Sequence, residues 1–243
     1  EDSCKAKELS FIDKIKTPYK VNQKTFLDIE NTPIAYNLSD AKFEVHTTKL
    51  KLRDIATSFQ GIITGNNDLL LRQWFEVNHE SFNPKNISFN SVDVSKQYWI
   101  PYNKGGKRRK WYGNQDLVID FRLKAQNYTR GKLQFSDFYF QEYFSWDYLG
   151  GNNITARFFP SGFLWDVHGS GVFTNKKSLY CILSLINSIV GKVILTDLNP
   201  TMSFQVENIL ATPIRENILS NNIEIIASNN INISKIDWDA HET

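Results

Sequence analysis

The sequence predicts an α+β fold in which a twisted, mostly antiparallel sheet is packed by a few helices. Residues 92–167 are rich in β-branched and aromatic side chains and are broken at short intervals by Gly, Asn and Pro, as in a sheet with loops. Apolar residues recur at three- and four-residue steps between Leu179 and Val193, as on the buried face of a helix. The chain has 243 residues, 41% of them hydrophobic, so it can bury a core without disulfides.

Composition indicates the cellular environment of the protein and the classes of partner to expect. Its two cysteines, Cys4 and Cys181, are too few for a disulfide framework and are not spaced as in zinc sites, which favours a reducing, cytoplasmic environment. The longest apolar stretch, residues 179–195, is interrupted by a lysine and is shorter than the roughly 20 residues of a bilayer span, so we expect no membrane partner. No secretory signal opens the chain and Glu1 stands first, so we interpret it as a piece of a longer protein. A net charge of +2 says nothing about nucleic acid, and the distribution of charge must decide.

The elements before the sheet are predicted from proline and turn residues. Residues 1–38 form an extended leading segment, because Pro18 and Pro33 prevent one long helix there. The loose helical order of apolar residues predicts a helix from Ser39 to Phe59. In the following run GIITGNNDLLL, residues 61–71, glycine and asparagine predict a tight loop flanked by strands.

The later elements follow from similar patterns. Residues 154–167 predict a hairpin whose two strands are joined by Pro160, Ser161 and Gly162. A helix is predicted from Lys176 to Leu195, with Asn175 as its N-cap and Pro200 beyond its end. Residues 39–215 then form one domain, and residues 216–243 form a trailing segment, either a weak helix or a linker to a missing C-terminal part.

A run of positive charge is the sharpest chemical feature of the chain. Five of the seven residues from Lys104 to Lys110 are basic, and the other two are Gly105 and Gly106. Glycine lets a backbone approach a rigid partner, and the cations suit phosphates or guanine edges of DNA. A solvated loop held to the surface by Trp111 and Tyr112 explains the same run equally well.

Residues for enzyme chemistry are sparse. The four histidines are isolated, so no metal site is predicted. Asp116, Asp120 and Lys124 resemble the acid pair and lysine of a nuclease, although the string LVIDF reads more simply as a strand. Ser161 does not lie in a nucleophile elbow, and the glycines beside His168 lack a phosphate-binding fingerprint. We predict no catalytic residue in this chain.

Six segments of the chain, taken together and in order, form a distinctive pattern. They are IENTPIAYNLS (29–39), GIITGNNDLLLRQWFEV (61–77), YWIPYNKGGKRRKWYGN (98–114), RFFPSGFLWDVHGSGVF (157–173), LINSIVGKVILTDLNPTMSFQVENI (185–209) and SKIDWDAHET (234–243). These segments cover most of the chain, and their pattern resembles the adenine-specific DNA methyltransferases of BREX phage-exclusion systems. The element LNPTMSFQ followed by ATPI is also similar to the C-terminal regions of other adenine-specific restriction-modification methyltransferases.

The resemblance implies that the parent methylates adenine N6 in host DNA with S-adenosylmethionine. This chain departs from the family pattern, because it has no Pro-Pro pair and therefore no Asn-Pro-Pro-aromatic catalytic loop, and it has no glycine-rich cofactor strand. The string from Asn199 to Met202 lacks both the second proline and the aromatic. The resemblance thus implies a C-terminal target-recognition region that itself binds no cofactor. Its partners would be double-stranded DNA, the upstream methyltransferase domain and other BREX proteins.

On this interpretation two regions are expected to contact DNA. Lys104, Lys107, Arg108, Arg109 and Lys110 would approach the duplex, and Asn103, Asn114 and Gln115 would read adenine edges, because an amide both donates and accepts. The second region comprises Thr64, Asn66, Asn67 and Arg72, although a tight turn that needs asparagine explains this string at least as well. Arg157 and Lys176 are further candidates.

Two other functions compete with DNA recognition. The aromatic content and the many Asn and Gly loops are also typical of a β-rich module that binds carbohydrate or protein. A nuclease built on Asp116 and Asp120 is the third hypothesis.

Overall fold

A computed structural model of the chain describes residues 3–16, 20–29, 32–34, 36, 38–85, 88–122, 128, 133–149, 154–199 and 201–242. Two of the prolines used in the predictions, Pro18 and Pro200, lie outside these ranges. Within them the helices are α1 (Cys4–Lys16), α2 (Asp40–His46), α3 (Asn67–Leu70), α4 (Lys176–Asn187), α5 (Ile189–Leu198), α6 (Val206–Leu210) and α7 (Asn221–Glu242). The strands are β1 (Thr57–Phe59), β2 (Leu71–Gln73), β3 (Trp99–Asn103), β4 (Leu117–Asp120), β5 (Tyr143–Trp146), β6 (Ala156–Phe159), β7 (Leu164–Trp165) and β8 (Gly171–Phe173).

The strands form two four-stranded sheets, which confirms the α+β prediction. The first sheet has the order β1-β8-β5-β6 and the second has the order β2-β4-β3-β7. Every strand pair is antiparallel except β3 with β7, where Tyr102 lies opposite Leu164 in parallel register.

The two-residue period of the strands explains how the layers stack. Phe144, Phe158 and Val172 on the first sheet belong to the core that α4 and α7 cover. Their chain neighbours point the opposite way and pack into a second core against the other sheet, where Tyr143 stacks on Phe159 with ring centroids 5.1 Å apart. The first sheet is therefore buried on both faces, and every residue of β5, β6 and β8 is buried.

The predicted hairpin in residues 154–167 is wrong, because its two strands belong to different sheets. β6 pairs with β5, whereas β7 pairs with β3. The connection turns through Gly162 at φ 103°, where a Cβ would stand 2.3 Å from the Pro84 carbonyl oxygen. This close approach needs glycine, and it turns the chain out of one sheet and into the other.

The helix predicted from Ser39 to Phe59 begins as expected but is much shorter. Ser39 caps α2, and its hydroxyl accepts the Lys42 amide proton. α2 ends at His46, where the hydroxyl of Thr47 bonds back to the Phe43 and Glu44 carbonyls. The last residues of the predicted helix form β1 instead, because they pair with β8 and complete the first sheet.

The helix predicted from Lys176 to Leu195 is broken by a sharp bend. Asn175 caps α4 as expected, but α4 ends at Asn187 and α5 starts again after Ser188 with an angle of 78° between them. The cause is the buried Asn187 amide. Its Oδ1 accepts the Ala156 N–H and its Nδ2 donates to the Ala156 carbonyl, both at 2.9 Å, so the side chain pairs with strand β6.

In the described part of the chain, no single helix combines the length and the hydrophobicity needed to cross a membrane.

Both ends of the chain are more helical than predicted. Residues 4–16 form α1 rather than an extended segment, since they contain neither Gly nor Pro and are rich in good helix formers. The described trailing residues form α7, a helix of 22 residues that packs against α4 and buries Ala227 completely. The helix alternative therefore describes residues 221–242. The linker to a missing C-terminal part and the proposed limits of the domain stay predictions.

Replacing Asn187 with Ala is expected to lower the free energy of unfolding by about 2 kcal/mol, because the buried Ala156 N–H loses its acceptor. Urea unfolding measures this change. Asn229→Ala on the exposed face of α7 is the matched control and is expected to change stability by less than about 0.5 kcal/mol. Equal stability of the two variants would contradict the role given to Asn187.

Candidate nucleic-acid interface

The basic run forms the first part of the connection from β3 to β4. It leaves β3 through Gly105 and Gly106, whose φ angles of 85° and 114° favour glycine. Asn103 fixes this exit, since its Oδ1 accepts the Gly105 N–H at 2.9 Å and its Nδ2 donates to the Gly169 carbonyl at 3.0 Å. Asn103 is completely buried, so the prediction that it reads a base edge is wrong for this structure.

A buried carboxylate holds the start of the run. Asp166 is 2% exposed and accepts hydrogen bonds from the Lys104 ammonium at 2.6 Å and the Tyr102 hydroxyl at 3.0 Å. Burial, together with this carboxylate, raises the pKa of Tyr102 well above its ordinary value, so the hydroxyl stays a donor. Lys104 is therefore an anchor of the loop, fixed by a charge-assisted bond.

The end of the run is anchored to helices. The Arg109 guanidinium lies 4.7 Å from the centre of the Trp238 ring and 3.4 Å from the Asp237 carboxylate on α7. The Lys110 ammonium donates to the Asn187 carbonyl at 2.8 Å. Both cations are thus used to tie the loop to α4 and α7.

The middle of the run faces solvent. Gly106, Lys107 and Arg108 are exposed at the rim of a groove of about 540 Å³. Asn114, with φ 56°, closes the loop from below, because its Nδ2 donates to the Lys107 carbonyl at 2.7 Å and to the Gly105 carbonyl at 3.3 Å. Lys104, Arg109 and Lys110 are thus held by the contacts described above, and Lys107, Arg108 and Lys110 are exposed.

The TGNN string serves the fold through its hydrogen bonds. Thr64 is 2% exposed and donates to the Asn67 side chain, and the Asn66 side chain caps α3 by accepting the Leu69 N–H at 3.1 Å. The Arg72 guanidinium donates to the Asp68 and Leu71 carbonyls, both at 2.6 Å. These bonds explain the residue types of the string without a ligand, and its contact with DNA stays a prediction.

The two further candidates differ in exposure. Arg157 is fully buried, with its guanidinium 2.7 Å from the Asp147 carboxylate, so it is excluded as a surface contact in this structure. Lys176 is exposed on α4, and its ammonium lies 5.8 Å from the centre of the Tyr180 ring.

The residues of the nuclease hypothesis are engaged elsewhere or undescribed. The Asp120 carboxylate accepts from the Arg122 backbone N–H and Nε, each at 3.0 Å. Lys124 lies outside the described residues. Among the described residues, no three His, Cys, Asp or Glu side chains are grouped as a metal site.

The sequence did not reveal the contribution of α7 to this site. Asp237 and Trp238 reach Arg109 across 128 positions of the chain, a pairing that no local pattern indicates. The one available signal was their place in the segment SKIDWDAHET, which is among the six segments that carry the resemblance.

Comparisons with known proteins confirm the resemblance. The chain is 32% identical over 265 residues to the adenine-specific methyltransferase PglX of Lacticaseibacillus casei (strain Zhang), a match that covers 99% of this chain and 21% of that protein. It is 31% identical over 250 residues to the adenine-specific methyltransferase BrxX of Escherichia coli O9:H4 (strain HS), covering 100% of this chain and 20% of that protein. No family model matches the chain. The chain thus spans about a fifth of the length of these curated relatives.

Asn114→Gly is expected to loosen the basic loop, because glycine keeps the positive φ but removes both hydrogen bonds. Trypsin, which cuts after Lys and Arg, should then cleave faster within residues 104–110. Cleavage at other sites is the internal control. An unchanged cleavage rate in the loop would show that Asn114 does not hold it.

Proposed function

We propose that this chain is the DNA target-recognition part of an adenine-specific DNA methyltransferase of a BREX phage-defence system. On this proposal it holds duplex DNA in one register while another part of the parent chain transfers the methyl group. The similarity to PglX and BrxX over the whole chain supports it, and so does a cationic loop displayed on a rigid support.

The observation that carries the proposal is the exposure of Lys107 and Arg108 on an anchored loop. Phosphate contacts position a protein on a duplex, and they need cations whose direction is fixed before binding. Lys104, Arg109 and Lys110 fix the two ends of the loop, so little conformational entropy is lost when its middle meets the DNA backbone.

Fewer residues are placed to contact base edges than the sequence predicted. Asn103 is buried, and the amide nitrogen of Asn114 is used within the loop. Gln115 is partly exposed, its side chain bonds to Tyr112, and its Nε2 makes a long contact of 3.5 Å with the Phe158 carbonyl. We infer that its amide is the one of the three that donates to and accepts from adenine.

Methyl transfer belongs to the parent in this proposal. The upstream methyltransferase domain would bind S-adenosylmethionine and receive the adenine, and the present chain would bind no cofactor. Contacts with other BREX proteins and a cytoplasmic location remain part of the proposal. The similarity to methyltransferases does not favour the alternative of a carbohydrate- or protein-binding module.

The proposal predicts duplex binding that weakens steeply with salt. Lys107→Gln combined with Arg108→Gln should flatten the slope of log K against log salt by about 2, since each lost phosphate contact removes about 0.9. Equilibrium binding of the chain to a short duplex at several salt concentrations measures this.

The matched control is Lys5→Gln combined with Lys7→Gln, which removes the same charge from exposed positions on α1. Its salt slope should equal that of the unchanged chain. Binding that is insensitive to salt, or equal slopes for the two double variants, would contradict the proposed function.

A further inference from the structure

A second cavity, of about 360 Å³, adjoins the basic groove. Leu117 and Trp238 line both cavities, so a ligand that lies along the groove passes the mouth of the second one. Its volume is at the lower end of the range for small-molecule sites, which begins at about 300 Å³. The cavity can therefore hold one compact group but no large ligand.

The walls of this cavity are aromatic. Trp74, Tyr112 and Trp238 line it, and they come from three distant parts of the chain. Trp74 is 39% exposed, so part of its surface is open to a ligand. The Tyr112 ring is buried and faces the Lys235 ammonium at 5.5 Å, and the Trp238 ring faces the Arg109 guanidinium, so Trp74 supplies the open π-face. An open π-face beside a cationic groove suits an unpaired base of a nucleic acid, because every base can stack on it.

The polar groups of the cavity can pair with a base edge. Gln115, Ser161 and Asp239 line it and supply an amide, a hydroxyl and a carboxylate. Asp239 forms an ion pair with Lys235 on α7, which balances its charge. A carboxylate has several acceptor sites, so it can also accept a hydrogen bond from the amino group of adenine, cytosine or guanine.

The cavity is preformed. The backbone at Trp74 is tied to the start of β4, since the Trp74 N–H donates to the Asp116 carbonyl at 2.8 Å. The Asn83 N–H donates to the Trp99 carbonyl at 3.0 Å, which ties the Phe82–Pro84 side of the cavity to β3. The turn at Gly162 packs against Pro84 and completes this wall. A stacking site that exists before binding costs little reorganisation.

We infer that this cavity binds a single unpaired nucleobase of the DNA that lies along the basic groove. The inference rests on the proposed function and extends it. The recognition part would bind the duplex and also stabilise a site where one base has left the helix. That base would stack against Trp74, and its amino group would donate a hydrogen bond to the Asp239 carboxylate.

The test compares two short duplexes that differ by one unpaired, bulged adenine. The unchanged chain should bind the bulged duplex more tightly than the paired one. Trp74→Ala should reduce that preference by about fivefold to a hundredfold, the range for loss of one base stack, while binding of the paired duplex is retained. Trp74→Phe keeps a π-face and should retain most of the preference.

Phe11→Ala is the matched control, because Phe11 is an exposed aromatic residue on α1 and is not among the residues that line the cavity. It should leave the preference unchanged, and thermal melting checks that each variant is folded. Salt-dependent binding with no preference for the bulge would overturn this inference and leave the proposed function standing. Trp74→Ala that weakens both duplexes equally, or neither, would also overturn it. Failure to bind any duplex would overturn both proposals.

Discussion

The pairing of the Asn187 amide with the backbone of Ala156 is the interaction on which the arrangement of this protein depends. It ends α4, sets the direction of α5 and attaches both to the edge of β6. The same two residues also position the basic loop, since the Asn187 carbonyl accepts the Lys110 ammonium and the Ala156 carbonyl accepts the Trp111 N–H. A single buried amide thus links the helical layer, the first sheet and the displayed cations, and buried polar groups that are fully paired specify one arrangement.

Charge has two separate uses in this chain. One set of cations forms ion pairs inside or at the margin of the fold. Arg157 pairs with Asp147, and Lys104 pairs with Asp166. Removing one partner of a buried pair leaves an uncompensated charge, so such pairs enforce their geometry even when their net contribution to stability is small. Lys107 and Arg108 are the second set, exposed on the support that the first set holds. The net charge of the whole chain is small, but the exposed cations form a local positive surface that suits a polyanion.

The neighbouring cavity gives the cationic surface a second kind of chemistry. Trp238 belongs to both, since its ring carries the Arg109 guanidinium and also lines the aromatic cavity. α7 thereby contributes to the candidate site as well as to the core that it forms with α4. Positioning through phosphates and recognition through bases are the two components of protein–DNA binding, and the two proposals assign them to neighbouring surfaces of this chain.

The sequence by itself determined what depends on local chemistry. The strand-rich region that contains β5 and β6, the start of a helix at Ser39, the N-cap at Asn175 and the glycine-containing basic run were all visible from residue type and spacing. The six ordered segments indicated the relatives through residue identity and order alone. These features are short in range, so the pattern that produces them lies within a few residues.

Tertiary structure decided whatever depends on contacts between distant segments. It placed β6 and β7 in different sheets, broke the predicted helix at Asn187, and turned the end of the helix predicted from Ser39 into β1, because partners far along the chain satisfied those backbone groups. It also decided which basic residues hold the loop. Asp166, Asp237 and the Asn187 carbonyl bind Lys104, Arg109 and Lys110, and a run of cations carries no local information about which of them will meet such a partner.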